Sequence, residues 1–251
     1  MTSGHSSTLR EFGLIGYPLG HSFSKGYFAE KFKNENITDA VYENFPIERI
    51  SEFYELCAAH PNLRGLNVTI PHKTSILPFL DELSDEAQKI GAVNTILFSG
   101  DKKIGFNTDA WGFEKSLVPL LRSPHTAALV LGTGGASKAV VYVLDKLGIR
   151  WKYISREHRN DDLSYGELSD DIVASHPLII NTTPLGMFPA INASPPLPYS
   201  AITAHHLLYD LVYNPSVTRF MQAAIDRGAK VKNGLEMLQL QAEKAWEIWN
   251  K

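Results

Sequence analysis

The run Ala127-Ala128-Leu129-Val130-Leu131 is apolar without interruption and passes directly into Gly132-Thr133-Gly134-Gly135-Ala136-Ser137. Apolar residues in a continuous block, rather than in alternation, suit a strand covered on both faces, and so a parallel sheet flanked by helices. Gly132 and Gly134 allow the backbone to turn sharply and approach a ligand, and Gly135 keeps the first amides of the next helix clear. Those amides and the helix dipole attract a pyrophosphate, as in a dinucleotide-binding turn, although Ser137 stands at the third small position in place of Gly or Ala. A plain strand-to-helix turn also uses glycine, and that is the alternative reading.

The 251 residues suffice for one large or two modest domains. With 44% hydrophobic and 20% charged residues the chain can bury a proper core, which excludes wholesale disorder. A formal net charge of -3 offers no basic field for nucleic acid or an anionic membrane. The first residues, to Glu11, are polar and read as a loose tail, neither signal peptide nor anchor, and no apolar run is long enough to span a bilayer. Cys57 is the only cysteine, so no intrachain disulfide or cysteine-rich zinc site is expected, and no metal; a reducing cytoplasm is the natural home. Its spacing from Ile50, Phe53 and Tyr54 places it on the apolar face of a helix, as core rather than nucleophile.

Strands are expected at Phe12–Gly16, Ala40–Pro46 and Leu63–Thr69, with a helix over Ile47–Ala59. Pro18 and Gly20 mark a turn before Ser22 and Ser24; Ser24 either caps the helix carrying Tyr27, Phe28 and Phe32, or joins Ser22 in holding a carboxylate or phosphate. Pro71 suits the first turn of a helix. That would set Lys73 near the positive end of a dipole, favouring the neutral amine and acid/base work, with a solvated surface lysine as the alternative. A helix over Asp81–Gly91, a strand over Ala92–Phe98 and a hairpin partner at Lys103–Phe106 follow. Asp109 reads as the N-terminal cap of a helix running to Leu121.

Beyond the glycine turn, Ala139–Leu147 is helical and Trp151–Ile154 is the next strand. An NAD-binding unit carries Asp or Glu at the end of that strand for the ribose 2'-hydroxyl. Here Ser155-Arg156-Glu157 stands, and a guanidinium suits a 2'-phosphate, favouring NADP; Glu157 could instead serve a hydroxyl or pair with Arg156. Leu178–Asn181 ends in Thr182-Thr183-Pro184-Leu185-Gly186-Met187, hydroxyls and glycine where open parallel sheets bind ligands. Leu207–Val212 is a strand and Ser216–Arg227 a helix. Asn233 and Glu236 form a capping box for a closing helix whose stripe is Leu235, Leu238, Ala242, Ala245, Trp246 and Trp249. Gln241 borders that stripe and needs a polar partner, protein or ligand. The alternation of elements predicts parallel α/β architecture throughout, in two units divided near Asn107.

Taken together, from about Phe12 to Trp249, the chain resembles the shikimate dehydrogenase family. The resemblance rests on Gly16-x-Pro18-x-x-His21-Ser22-x-Ser24, Gly65-x-Asn67-Val68-Thr69-x-Pro71-x-Lys73, Gly91-Ala92-Val93-Asn94-Thr95 and Asn107-Thr108-Asp109-x-x-Gly112. It continues through the glycine turn, Asn181-Thr182-Thr183-Pro184-x-Gly186-Met187, Asp210-x-x-Tyr213-Asn214-Pro215 and Gly234-x-x-Met237-Leu238-x-x-Gln241-Ala242. The resemblance implies an enzyme that reversibly reduces 3-dehydroshikimate to shikimate with NADPH, on the route to aromatic amino acids, with NAD as a lesser possibility. It implies Lys73 and Asp109 as the catalytic pair, Ser22 and Ser24 on the substrate carboxylate, and Thr69, Asn94, Asp109 and Gln241 on ring hydroxyls, with Tyr213 framing the substrate. Gly132, Thr133, Gly134, Gly135, Ala136, Ser155, Arg156, Thr182 and Gly234 would hold the cofactor. It also implies an α/β substrate domain, 1–107, to which a C-terminal helix, 233–251, returns, and a Rossmann-type domain, 108–232, in a cytoplasmic monomer or homodimer. Three departures stand out: Ser24-Lys25 for Ser-Pro, Thr133 for Ala, and Ser155-Arg156-Glu157 for Asn-Arg-Thr, where a negative charge replaces a hydroxyl donor.

Overall fold

Phe12 and Leu14 of the first strand join one buried cluster and Ile15 another, so the sheet that begins there is apolar on both faces. The computed structural model describes residues 9–20, 23–157 and 162–251. In chain order, β1 (Arg10–Gly16), α1 (Phe23–Asn34), β2 (Ala40–Pro46), α2 (Phe53–Ala59), β3 (Leu63–Val68), β4 (Glu82–Leu83), α3 (Asp85–Ile90), β5 (Thr95–Ser99) and β6 (Lys102–Phe106) build one sheet of order β2-β1-β3-β5-β6-β4. β1 runs parallel to β2 and β3, but β5 is antiparallel to both β3 and β6. Parallel architecture throughout is therefore a misreading of this sheet. Gly100-Asp101, with Gly100 at φ 59°, is too short a link for a parallel crossover and closes the hairpin expected with Lys103–Phe106.

The remaining elements are α4 (Thr108–Leu117), β7 (Ala127–Leu131), α5 (Gly135–Lys146), β8 (Arg150–Ser155), β9 (Leu163–Ser164), α6 (Asp170–Ala174), β10 (Leu178–Asn181), β11 (Leu207–Asp210), α7 (Arg219–Ile225), β12 (Lys230–Lys232) and α8 (Leu235–Trp249). Their sheet, β12-β11-β10-β7-β8-β9, is parallel throughout. Succession along the chain reverses between β7 and β10, which makes their carboxyl ends a topological switch point, where such sheets bind ligands. The chain divides into two compact units, residues to Thr108 with Ala242–Lys251, and Asp109–Gln241; the second division falls within α8.

The last turns of α8 are locked into the first unit. Trp249 Nε1 donates to the Ile96 carbonyl at 2.9 Å, and its ring lies 5.0 Å from Phe12 and 5.6 Å from Phe28. Gly65 makes this possible, because a Cβ there would meet Trp249 Nε1 at 2.1 Å.

Several helix limits differ from expectation. α2 is shorter than Ile47–Ala59 because a 3-10 turn occupies Ile50–Glu52; Phe53 and Cys57 pack on the core, but Tyr54 is 58% exposed. α3 starts at Asp85, where Ser84 Oγ accepts the Ala87 amide, and Gly91 ends it at φ 65°. α4 stops at Leu117 before a 3-10 turn containing Pro119. α7 begins only after Thr218, whose hydroxyl caps it. Asn233 accepts the Leu235 amide from outside α8, and Leu235 is exposed rather than part of the apolar stripe.

Candidate active site

In the first unit a cluster of buried polar groups interrupts the apolar sheet where β3 ends and β5 begins. Asn67, Asn94, Thr95 and Thr108 are all buried. Such groups cost about 1–3 kcal/mol each when left unpaired, and here they satisfy one another. Asn67 Nδ2 donates to Thr95 Oγ1 and to the Asn94 carbonyl, both at 3.2 Å. Asn94 Oδ1 accepts the Thr108 amide at 2.7 Å, and Asn94 Nδ2 donates to Thr108 Oγ1 at 3.0 Å. At the other end the Tyr42 hydroxyl donates to Asn67 Oδ1 at 2.8 Å and is hydrogen-bonded to Ser24. Burial raises the Tyr42 hydroxyl far above its ordinary range, so it stays protonated. Ser24 and Asn94, distant in sequence, thus belong to one continuous network. Sequence reasoning missed Tyr42, whose spacing reads as an ordinary strand residue.

Ser24 lies inside the first turn of α1 and is buried, so it is not that helix's cap. Ser22 falls outside the described residues. Thr69 is half-buried, its amide donating to the Ile15 carbonyl, and Gly16 allows its approach, since a Cβ there would meet Thr69 Cγ2 at 2.4 Å.

Lys73 is half-buried but does not start a helix. Its carbonyl accepts the Val93 amide at 2.8 Å instead of a local one, and the chain from Pro71 runs through turns to a 3-10 segment at Leu77–Phe79. The dipole expected to act on Lys73 is therefore absent. Buried His72 fixes the backbone beside it, with Nε2 2.8 Å from the Ile47 carbonyl.

In the second unit Asp109 is 6% exposed and sits within the first turn of α4 rather than capping it, since the helix begins at Thr108. One turn later Gly112 permits α8 to approach: a Cβ there would meet the Met237 carbonyl at 2.5 Å and Gln241 Cβ at 3.3 Å. Asp109 and Gly112 share a helix face, so the close crossing sets Asp109 and buried Gln241 on adjoining helices. Gln241 Nε2 donates to the Leu238 carbonyl at 2.8 Å. Tyr213 is half-buried, which pushes its hydroxyl upward.

The glycine turn has the features a pyrophosphate needs. Gly132 holds φ +98°, a conformation side chains disfavour. Gly134 caps α5 with no side-chain hydrogen bond and faces open space, while Thr133, Gly135 and Ala136 are exposed or half-buried. Ser137, the unusual third position, is wholly buried and donates to the Gly134 carbonyl at 2.7 Å, bracing the turn. Thr182 Oγ1 donates to the Leu131 carbonyl at 2.6 Å, joining β10 to the turn. At the end of β8 the Ser155 hydroxyl donates to the Glu157 carbonyl, while Arg156 and Glu157 are exposed. Gly234 lies so close to the Leu211 carbonyl that a Cβ would meet it at 2.1 Å, so only glycine fits there. Among the described residues no group of three His, Cys, Asp or Glu is arranged to hold a metal, and no helix is long and apolar enough to cross a membrane.

A parallel sheet with a switch point beside an open glycine turn defines a dinucleotide-binding Rossmann-type unit, here joined in one chain to a mixed α/β unit with a buried polar cluster. Residues 14–96 match the family model described as the shikimate dehydrogenase substrate binding domain. The shikimate dehydrogenase (NADP(+)) of Carboxydothermus hydrogenoformans is 38% identical over 257 residues, covering 94% of this chain and 90% of its own. The crystal structure of shikimate dehydrogenase from Aquifex aeolicus is similar with a TM-score of 0.86 at 33% identity, over 98% of this chain and 93% of that one. The Thermus thermophilus enzyme, in complex with NADP(H) and shikimate, gives 0.85 at 32%, over 96% and 93%. The chain belongs to the shikimate dehydrogenase family.

Proposed function

We propose that this chain is an NADP-dependent shikimate dehydrogenase, which reversibly reduces 3-dehydroshikimate to shikimate. The observation that carries the reading is that the likeness to such an enzyme covers 94% of the chain, taking in both the Lys73/Asp109 segments and the glycine turn. Residues 1–107 with the closing helix, 233–251, form the substrate domain, and 108–232 the dinucleotide domain.

Ser22 and Ser24 hold the substrate carboxylate. Thr69, Asn94, Asp109 and Gln241 bind ring hydroxyls, and Tyr213 frames the substrate. As the ketone is reduced, negative charge develops on its oxygen; the Lys73 ammonium stabilises that charge and delivers the proton. Asp109 accepts a hydrogen bond from the neighbouring substrate hydroxyl and so holds the ring in place for the reaction. Burial of Asp109 and Asn94 supports this, because polar groups fixed before substrate arrives need little rearrangement.

When bound, NADPH supplies the hydride. Gly132, Thr133, Gly134, Gly135 and Ala136 fit its pyrophosphate, Ser155 and Arg156 its 2'-phosphate, and Thr182 and Gly234 complete the site. Glu157 favours a second reading, in which NAD serves as well, because its charge opposes a phosphate at the same strand end. The enzyme works in the cytoplasm as a monomer or homodimer, on a small-molecule substrate and without nucleic acid or membrane. A matrix of shikimate and quinate, each with NADP+ and NAD+, tests the reading through reduced nicotinamide formed. Shikimate with NADP+ is expected to be the fastest pair, and no turnover of shikimate with either cofactor would overturn it.

A further inference from the structure

At the carboxyl ends of β10 and β11, beside the switch point, Asn181 and Asp210 lie opposite one another in register, and neither has any exposed surface. Asp210 Oδ1 accepts from Asn181 Nδ2 at 2.9 Å and from the Val212 amide at 3.0 Å, while Oδ2 accepts from Thr218 Oγ1 at 2.6 Å. All three partners are neutral donors. A buried carboxylate without a cation is costly, and a residue that breaks a packing rule in this way marks a place where function is to be sought.

Only a carboxylate accepts all three bonds at once. Holding Asn181 Nδ2 fixes the amide so that Asn181 Oδ1 faces the other way, where it accepts the Thr183 amide at 3.0 Å and the Thr183 hydroxyl at 2.7 Å. Thr183 Oγ1 then accepts the Leu185 amide at 3.3 Å. On the other side Thr218 Oγ1 accepts the Met221 amide and so caps α7. One side chain therefore holds two loops, 182–187 and 211–218. Resting on the function proposed above, we propose that Asp210 is a positioning residue of the reaction: through Asn181, Val212 and Thr218 it fixes the loops that carry Thr182 and Tyr213.

The test compares two probes on wild-type protein, Asp210→Asn, Thr183→Val, and the exchange variant Asp210→Asn/Asn181→Asp. NADP+ spans the whole cofactor site, whereas 2'-AMP carries the 2'-phosphate and adenine but neither pyrophosphate nor nicotinamide. Asp210→Asn is expected to raise the Kd for NADP+ about tenfold to a hundredfold, as for loss of hydrogen bonds to a buried charge, leaving that for 2'-AMP unchanged. Thr183→Val, which removes only an outer link, is expected to show the same split on a smaller scale. The exchange variant restores part of the affinity, because the carboxylate moved to position 181 can again accept from Thr183 and from the amide placed at position 210. Unchanged NADP+ affinity in Asp210→Asn and Thr183→Val, or equal weakening of both probes, overturns the proposal. Failure of wild-type protein to bind NADP+ would instead overturn the function on which it rests.

Discussion

Gly65→Ala tests the lock between the end of α8 and the first sheet. The added methyl group would lie 2.1–2.4 Å from three atoms of the Trp249 indole, inside any tolerable separation, so the ring must move. Overpacking of this kind costs about 1–3 kcal/mol, and loss of the Trp249–Ile96 hydrogen bond adds about 1 kcal/mol. The sum, about 2–4 kcal/mol, corresponds to a fall in Tm of about 4–16 °C for a chain of this size. Gln241 lies eight residues earlier on the same helix, about 12 Å along its axis, so the KM for shikimate is expected to rise as well. Calorimetry and steady-state kinetics read the two effects. Trp249→Phe, which shrinks the ring, should make Gly65→Ala less costly in the double variant than the separate effects predict. A Gly65→Ala protein as stable as wild type, or strict additivity in the double variant, would refute the packing argument.

Burial pushes the Asp210 carboxyl up to about 6, against the pull of hydrogen bonds from Thr218, the Val212 amide and Asn181. The folded state thus holds this proton more tightly than the unfolded state, so its contribution to stability is full below about pH 4 and is lost as pH rises through about 6. Urea unfolding should show wild-type stability falling by about 2–3 kcal/mol relative to Asp210→Asn between about pH 4 and pH 7; parallel curves would contradict it. Arg156→Ala is expected to raise the KM for NADP+ about tenfold or more, through loss of a charged hydrogen-bond donor, with little effect on NAD+. Glu157→Thr should move preference further towards NADP+, and a shift towards NAD+ would count against the assigned clamp.

The buried strands were legible because their composition is so apolar: Ala127–Leu131 and Leu178–Asn181 need no partner information to be recognised. The glycine turn was legible for the same local reason, since Gly132 adopts a backbone conformation that glycine serves best. Pro71 misled because its local chemistry fits a helix start, whereas the Lys73 carbonyl is taken by Val93, a pairing invisible in any local window. Tyr42 was hidden likewise, because what distinguishes it is contact with Ser24 and Asn67 across the sheet. Tyr54 satisfies the helical spacing of the face that carries Cys57 yet is largely exposed, because spacing alone does not say which side of a short helix the core covers. Gln241 carried the better signal, a polar group bordering an apolar stripe, and it is buried in the structure.

Lys73→Ala is the most direct measurement of the central claim, that Lys73 supplies the charge and the proton for the ketone oxygen. Removing a general acid of this kind is expected to lower kcat by about a hundredfold to ten-thousandfold, while the Kd values for NADP+ and shikimate stay within a few-fold of wild type. A Lys73→Ala protein that turns over shikimate at the wild-type rate would contradict the assignment outright.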